Sequence, residues 1–127
     1  HPHDDATATD DRYRSNCKIP SERLLPVVDL LITDYSTTVL DYLAFDRPFI
    51  LYAPDLEEYE QTRGFFIDYR GITKNLTKDA THLDEMVKRV YQEWLDGDRE
   101  DIDRCKAELT SACDGKATER ILAWLQE

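Results

Sequence analysis

The chain of 127 residues is long enough for one domain with a hydrophobic core and too short for two. Its formal net charge of −11 argues against nucleic acid as a partner, because an acidic surface repels the phosphate backbone, but a few local donors can still hold a small anion. No stretch approaches the roughly 20 apolar residues of a membrane span, and none resembles a signal peptide.

The N-terminal part of the sequence predicts little regular structure. Residues 1–15 show no periodicity and carry four aspartates, which indicates a flexible arm or loop ahead of one folded domain at 16–127. A short strand is predicted over 16–19. A brief helix is predicted to begin at Pro20-Ser21-Glu22 and to reach Val27, with Pro26 interrupting or ending it.

Residues 27–52 have the pattern of a strand, a helix and a second strand. The apolar run over 27–33 predicts a strand buried on both faces, as in a parallel sheet. Ser36 is then the predicted N-cap of a helix that runs to about Ala44. Residues 49–52 predict another buried strand. This βαβ unit implies a parallel sheet with a right-handed crossover, and therefore an α/β fold.

The remainder of the chain is predicted to be mainly helical. A helix over 56–62 leads into an aromatic loop around Gly64, and a brief strand is predicted over 72–76. Trp94 and Trp124 are assigned to the hydrophobic core. Longer helices, separated by Asp-Gly breaks, are predicted over 81–95, 98–113 and 116–125.

The cysteines and the start of the chain bear on where the protein works. Cys17, Cys105 and Cys113 form no Cys-x-x-Cys pair and are odd in number, which indicates free thiols in a reducing compartment. The sequon Asn75-Leu76-Thr77 is therefore interpreted as a chance match. The chain begins with His1-Pro2 and not with methionine, which indicates part of a longer protein.

The segment TDYSTT, residues 33–38, places hydroxyl groups where the first predicted strand meets its helix. In open parallel sheets, ligands bind beyond the carboxyl ends of the strands, where helix N-termini offer N–H groups and the positive end of the dipole. With the hydroxyls of Ser36, Thr37 and Thr38, this segment predicts a phosphate site. Helix capping explains the same residues, and the pattern alone does not decide between the two interpretations.

A series of motifs follows in order along most of the chain. They are HP at 1–2, TDYST at 33–37, LD at 40–41, RPFILY at 47–52, DLEEY at 55–59, RGFFIDY at 63–69 and DGKATER at 114–120. Together they resemble the CDP-glycerol glycerophosphotransferase family, whose members prime and polymerise teichoic-acid-type chains. The ordered series is far more specific than any one of its motifs.

The resemblance implies a Rossmann-like domain, the donor-binding C-terminal half of a GT-B fold. The N-terminal half, with its own functional histidine, lies outside this chain, so the chain alone is expected to be inactive. The implied reaction moves glycerol phosphate from CDP-glycerol, or another polyol phosphate from a related CDP-polyol, to a polyol-phosphate acceptor that can be lipid-linked, and releases CMP. No cofactor or metal is implied. The full-length enzyme is expected in the cytoplasm, at the inner face of the membrane.

The resemblance also suggests roles for individual residues. The catalytic candidate is His1, the phosphate-binding candidates are Ser36, Thr37, Thr38 and Arg63, and the candidates for binding ribose or polyol are Asp41, Glu57 and Glu58. Purely structural or surface roles stay open for Arg63, for Asp34 and Asp41, and for at least one of the two glutamates.

Two other functions also stay open. One is the nucleotide-sugar half of another GT-B glycosyltransferase or epimerase, although DLEEY followed by RGFFIDY favours polyol-phosphate transfer. The other is a non-catalytic acidic interaction module, which predicts no affinity for nucleotides. Competition between CDP-glycerol and UDP-sugars separates the first alternative from the favoured function.

Overall fold

The computed structural model describes residues 19–65 and 67–126. Its sheet has three parallel strands, β1 (Leu31–Thr33), β2 (Phe49–Tyr52) and β3 (Leu76–Thr77), in the spatial order β1-β2-β3. The helices are α1 (Ser21–Leu24), α2 (Thr38–Leu43), α3 (Leu56–Thr62), α4 (Tyr69–Ile72), α5 (Leu83–Leu95), α6 (Glu100–Leu109) and α7 (Ala117–Trp124). Several predictions fall outside the described residues. They concern the arm at 1–15, most of the strand at 16–19, Cys17 and His1.

The predicted βαβ unit is confirmed. β1 and β2 are parallel, with Leu31 opposite Phe49 and Thr33 opposite Leu51, and α2 is their crossover. β2 lies between its two neighbours, and Phe49, Ile50 and Leu51 are all buried. A central strand covered on both faces is the environment that a continuous apolar run predicts.

The first strand is shorter and more exposed than predicted. Residues 25–27 form a 3₁₀ turn with Pro26 near its start, and strand pairing begins only at Leu31. Within β1, Ile32 is 45% exposed. The prediction of burial on both faces was wrong here, because successive side chains of a strand point to opposite faces, and the face of Leu31 and Thr33 is partly covered whereas that of Ile32 is open.

The third strand was predicted too early in the chain. Ile72, the first residue of the predicted strand, is instead the last residue of α4, a helix whose start at residue 69 is capped by the Asp68 side chain, which accepts the Arg70 N–H at 3.1 Å. The strand follows at residues 76–77, where Leu76 pairs in parallel with Leu51. Asp68 and its cap were not recognised in the sequence.

The core is built from side chains of α2, β2, α4 and α6. α6 packs against α2 and α4, and α5 packs against β2. The fully buried members of the core include Tyr42, Leu43, Phe49, Leu51 and Cys105. Trp94 packs against this core, as predicted. Trp124 does not: it is 71% exposed, because α7 buries none of its residues in the described structure.

The predicted C-terminal helices exist but are shorter at their ends. Local side-chain caps explain two of the starts. Asp79 accepts the Thr81 N–H and opens a 3₁₀ turn before α5, and Asp98 accepts the Glu100 N–H where α6 begins. No helix within residues 19–65 and 67–126 is long and apolar enough to cross a lipid bilayer.

Candidate functional site

The turn between β1 and α2 is ordered by its own side chains. The Ser36 N–H donates to Asp34 Oδ1 at 3.0 Å. Ser36 Oγ lies 2.8 Å from Thr38 Oγ1 and accepts the Thr38 N–H at 3.3 Å. Asp34 therefore has a structural function, which the sequence had left open. Ser36 and Thr38 have two hydroxyl hydrogens between them. One is donated in the hydrogen bond between the two side chains, and the other can be donated to another acceptor.

The helix after this turn begins later than predicted. α2 starts at Thr38, with Thr37 and not Ser36 at the N-cap position, and the Thr37 side chain makes no capping bond within the described structure. Ser36 supplies the capping contact from one residue further out. Capping thus accounts for Ser36 but not for Thr37, which is an exposed residue.

An aromatic cluster, formed by Tyr35, Tyr59, Phe65 and Tyr69, lies against this turn. The ring centroids of Tyr35 and Tyr59 are 4.4 Å apart, and Tyr59 stacks on Phe65 at 5.1 Å. Tyr69 meets Phe65 edge-on at 5.1 Å. No local pattern in the sequence predicted this cluster, although its members lie within the TDYST, DLEEY and RGFFIDY motifs.

Both polar ends of Tyr35 are held by other segments. Its hydroxyl donates to Asp55 Oδ1 at 2.7 Å, and its backbone carbonyl accepts a hydrogen bond from the Tyr69 hydroxyl at 3.1 Å. Partial burial, followed by the hydrogen bond to the Asp55 carboxylate, raises the pKa of Tyr35. Partial burial likewise raises the pKa of Tyr69. Both phenols therefore remain protonated donors at neutral pH.

A cavity of about 290 Å³ opens between the turn and the aromatic cluster. Thr37 forms one part of its wall, and the rings, together with Gly64 and Ile67, form the rest. Gly64 has a φ of 72°, which favours glycine and lets the chain turn from α3 into Phe65. The cavity thus combines a hydroxyl at a helix start with aromatic walls, as small-molecule sites commonly do.

The structure brings Arg63 to this region. Arg63 is the C-cap residue of α3, directly before Gly64, and its guanidinium carbon lies 5.9 Å from the centroid of the Tyr59 ring. The side chain is exposed, so it can reorient toward an anion in the cavity. Its predicted association with Thr37 is therefore compatible with the geometry.

The acidic candidates are placed differently. Glu57 Oε1 accepts a hydrogen bond from Lys78 Nζ at 2.6 Å and lies 4.0 Å from Arg70 Nη2. The hydrogen bond from Lys78 lowers the pKa of Glu57. Glu58 is exposed in the first turn of α3. Neither glutamate is among the described residues that line the cavity.

Asp41 is not among the described residues that line the aromatic cavity. It lines a second cavity, of about 740 Å³, with Leu25, Phe45 and Lys106. This cavity lies between α1, α2 and α6, whereas Thr37 lines the aromatic one. Asp41 and Thr37 thus line different cavities, and His1 lies outside the described residues.

Comparison with known proteins shows the family of this chain. Residues 1–127 match the family described as CDP-Glycerol:Poly(glycerophosphate) glycerophosphotransferase. A teichoic acid poly(ribitol-phosphate) polymerase of Bacillus spizizenii is 34% identical over 100 residues, which are 78% of this chain and 15% of that protein. The teichoic acid glycerol-phosphate primase of the same organism is 32% identical over 87 residues, 60% of this chain and 23% of the primase.

The fold has a counterpart among solved structures. The structure of the wall teichoic acid polymerase TagF matches with a TM-score of 0.60 and 29% sequence identity, covering 77% of this chain and 24% of that chain. This match confirms the predicted fold class, which is an α/β fold of the GT-B type with a parallel sheet flanked by helices. The chain spans about a quarter of the length of that polymerase and less of the two relatives above.

Proposed function

The chain belongs to the CDP-glycerol:poly(glycerophosphate) glycerophosphotransferase family, and from this premise we propose that its described domain holds the nucleotide-linked donor of polyol-phosphate transfer. The donor is CDP-glycerol or a related CDP-polyol. The acceptor is a polyol-phosphate chain of the teichoic acid type, which can be lipid-linked. A second, N-terminal half of the enzyme faces the site, and the intact protein works at the inner face of the membrane.

The proposed reaction exchanges one phosphorus–oxygen bond for another. The terminal hydroxyl oxygen of the acceptor attacks the phosphorus that carries the polyol. The bond from this phosphorus to the bridging oxygen breaks, and CMP leaves with the bond's electron pair. The hydroxyl proton passes to a base, for which we propose His1. The protein's main contribution is to align the reactants and to stabilise negative charge on the diphosphate.

The observation that carries the proposal is the cavity with Thr37 in its wall. It lies beyond the carboxyl end of β1, where open parallel sheets bind their ligands. We assign the diphosphate to the hydroxyls of Ser36, Thr37 and Thr38, with Arg63 as the cationic partner. A guanidinium suits this task because it donates several hydrogen bonds in one plane to phosphate oxygens.

Among the acidic candidates, Glu58 is the best placed to accept hydrogen bonds from ribose or polyol hydroxyls. It is exposed in the same short helix that carries Tyr59 of the cavity wall. The carboxylate of Glu57 is already held by Lys78, and Asp41 lines the other cavity. The polyol itself stays open, since relatives named for glycerol phosphate and for ribitol phosphate both match this chain.

Calorimetric titration with CDP-glycerol, CDP-ribitol, CMP and a UDP-sugar tests the proposal. We expect the cytidine ligands to bind more tightly than the UDP-sugar. The double variant Ser36→Ala, Arg63→Ala should bind them at least roughly tenfold more weakly, because it loses hydrogen bonds to a charged group. The matched control is Ser111→Ala, Arg23→Ala, which removes the same chemical groups from exposed positions elsewhere. If a folded wild-type chain binds no cytidine nucleotide, or the double variant binds as well as the control, the proposal is wrong.

A further inference from the structure

We propose that Tyr69 and Asp55 are positioning residues, which hold Tyr35 and thereby fix the turn that carries Ser36 and Thr37. They form what we call the Tyr35 clamp: the Tyr69 hydroxyl on the Tyr35 carbonyl, and the Asp55 carboxylate on the Tyr35 hydroxyl. The identity of the ligand that this turn serves rests on the proposed function. The clamp itself rests on contacts within the protein.

The turn needs support from outside because its own hydrogen bonds are short in range. Asp34, Ser36 and Thr38 bond to one another across two residues only. Such bonds fix the local shape of a turn but not its place relative to the rest of the domain. The strand before it has three residues and the helix after it six, so neither provides a long rigid mount.

The clamp connects this turn to segments far away in the sequence. Asp55 lies 20 residues after Tyr35, just before α3, and Tyr69 lies 34 residues after it, at the start of α4. A hydrogen bond at each polar end of Tyr35 restrains both the main chain and the ring. Ser36 is the next residue, so any shift of Tyr35 moves the proposed phosphate contacts.

Tyr69 is itself attached to a fixed support. At the other end of α4, the Ile72 carbonyl accepts hydrogen bonds from Arg104 Nε and Cys105 Sγ, each at 3.2 Å. Both donors belong to α6, and Cys105 is fully buried. The core helix α6 therefore fixes α4, and α4 in turn fixes the turn through Tyr69.

The hydroxyl of Tyr69 is what distinguishes this function from aromatic packing. Phe65 has the same type of ring in the same cluster and packs without a hydroxyl group. If Tyr69 only filled space, phenylalanine would serve equally well there. A displaced donor, by contrast, weakens binding even when the fold is intact, because productive phosphate contacts need placement to within about 1 Å.

Paired variants test the clamp by calorimetric titration with CDP-glycerol and CMP. Tyr69→Phe and Asp55→Ala should each weaken binding by up to about fivefold, because the loss of one hydrogen bond within the protein lowers the fraction of molecules whose turn is correctly placed before the ligand binds. Asp55→Asn should bind nearly as well as wild type, because its amide oxygen still accepts the Tyr35 hydroxyl. The control is Tyr91→Phe, which removes a hydroxyl from a ring stacked on Trp94 in α5. In a Ser36→Ala, Thr37→Ala background, Tyr69→Phe should have no further effect on affinity.

Hydrogen exchange tests the same idea without a ligand. Tyr69→Phe should speed exchange of the amides at 35–39 several-fold and leave those of β2 unchanged. Faster exchange throughout the domain would indicate a general loss of stability and overturn the proposal. If wild type binds no cytidine nucleotide, the proposed donor function is wrong, and the clamp is then tested only by the hydrogen exchange of the amides at 35–39. If wild type binds, but Tyr69→Phe alters neither affinity nor exchange, the clamp is wrong and the donor site stands.

Discussion

Asp101 is the acid whose removal should destabilise this domain most. It lies in the first turn of α6 and is 6% exposed. Its carboxylate accepts the Lys74 N–H at 3.1 Å and a hydrogen bond from the Asn75 amide at 3.3 Å, as well as one from the Thr73 hydroxyl, and it pairs with Arg104. One side chain thus fixes the segment between α4 and β3 to the core helix.

The expected cost follows from what Asp101→Ala leaves behind. Breaking a buried ion pair by removing one partner costs about 3–5 kcal/mol, because the remaining groups lose their acceptor. The Arg104 side chain is 43% exposed and can turn to solvent, whereas Thr73 and Asn75 are buried and cannot. We therefore expect a loss of about 3 kcal/mol in the free energy of unfolding, at the lower end of that range. Asp101→Asn, which keeps the shape and one acceptor oxygen, should lose about half as much, since neutral hydrogen bonds are weaker than charged ones.

Urea unfolding followed by circular dichroism measures this loss. The comparison requires that the free energy of unfolding falls with urea concentration at the same slope in all variants. The matched control is Asp103→Ala, an exposed acid in the same turn of α6, which should cost less than about 1 kcal/mol. Equal losses of stability for Asp101→Ala and Asp103→Ala would contradict this prediction. The network around Asp101 would then be no stronger than a surface ion pair.

Further predictions concern the core and the thiols. Phe49→Ala should cost about 3–5 kcal/mol in urea unfolding and Trp124→Ala less than about 0.5 kcal/mol, because the first ring is buried and the second exposed; similar costs would contradict these placements. Iodoacetamide should label Cys113 in the native protein and reach Cys105 only after unfolding, as peptide mass spectrometry can show. Burial raises the pKa of Cys105 from 9.0 to about 12. The thiol of the unfolded chain therefore loses its proton at a lower pH than that of the folded chain, so the free energy of unfolding falls as pH rises through this interval. Cys105→Ala should reduce this slope by up to about 1.4 kcal/mol per pH unit, and an unchanged slope would speak against the buried neutral thiol.

Local signals explain the elements that the sequence predicts well. The bounds of β2 and α3 agree with the structure because each is set by nearby residues, a continuous apolar run in the first case and the turn at Gly64 after the second. The limits of β1 and β3 depend on which strand pairs with which, and a single sequence does not contain that information. Asn75 illustrates the same limit: it matches a sequon, yet in the fold its amide is buried and bonded to Asp101.

The candidate site was predicted in part for similar reasons. The turn at 33–38 was found because hydroxyls at a strand-to-helix junction are a local pattern. Asp41 follows closely in the sequence, but it lines a cavity with α1 and α6, so proximity along the chain did not place it at the site. Glu57 was assigned to a ligand, and the structure pairs it with Lys78, which lies 21 residues later. Such long-range partners decide whether a charged side chain is available.

The ordered motifs have a common physical origin in this fold. TDYST begins with the last residue of β1, DLEEY begins shortly after β2 ends and RGFFIDY begins directly after α3 ends, and each supplies one wall of the same cavity. A motif alone is therefore a weak signal, because one wall does not make a site. Their order is a strong signal, because a parallel sheet gathers the carboxyl ends of β1 and β2 at one edge, and the third motif lines the same cavity as the first two. The Tyr35 clamp extends this logic, since Asp55 and Tyr69 lie in the second and third of these motifs and hold the first in place.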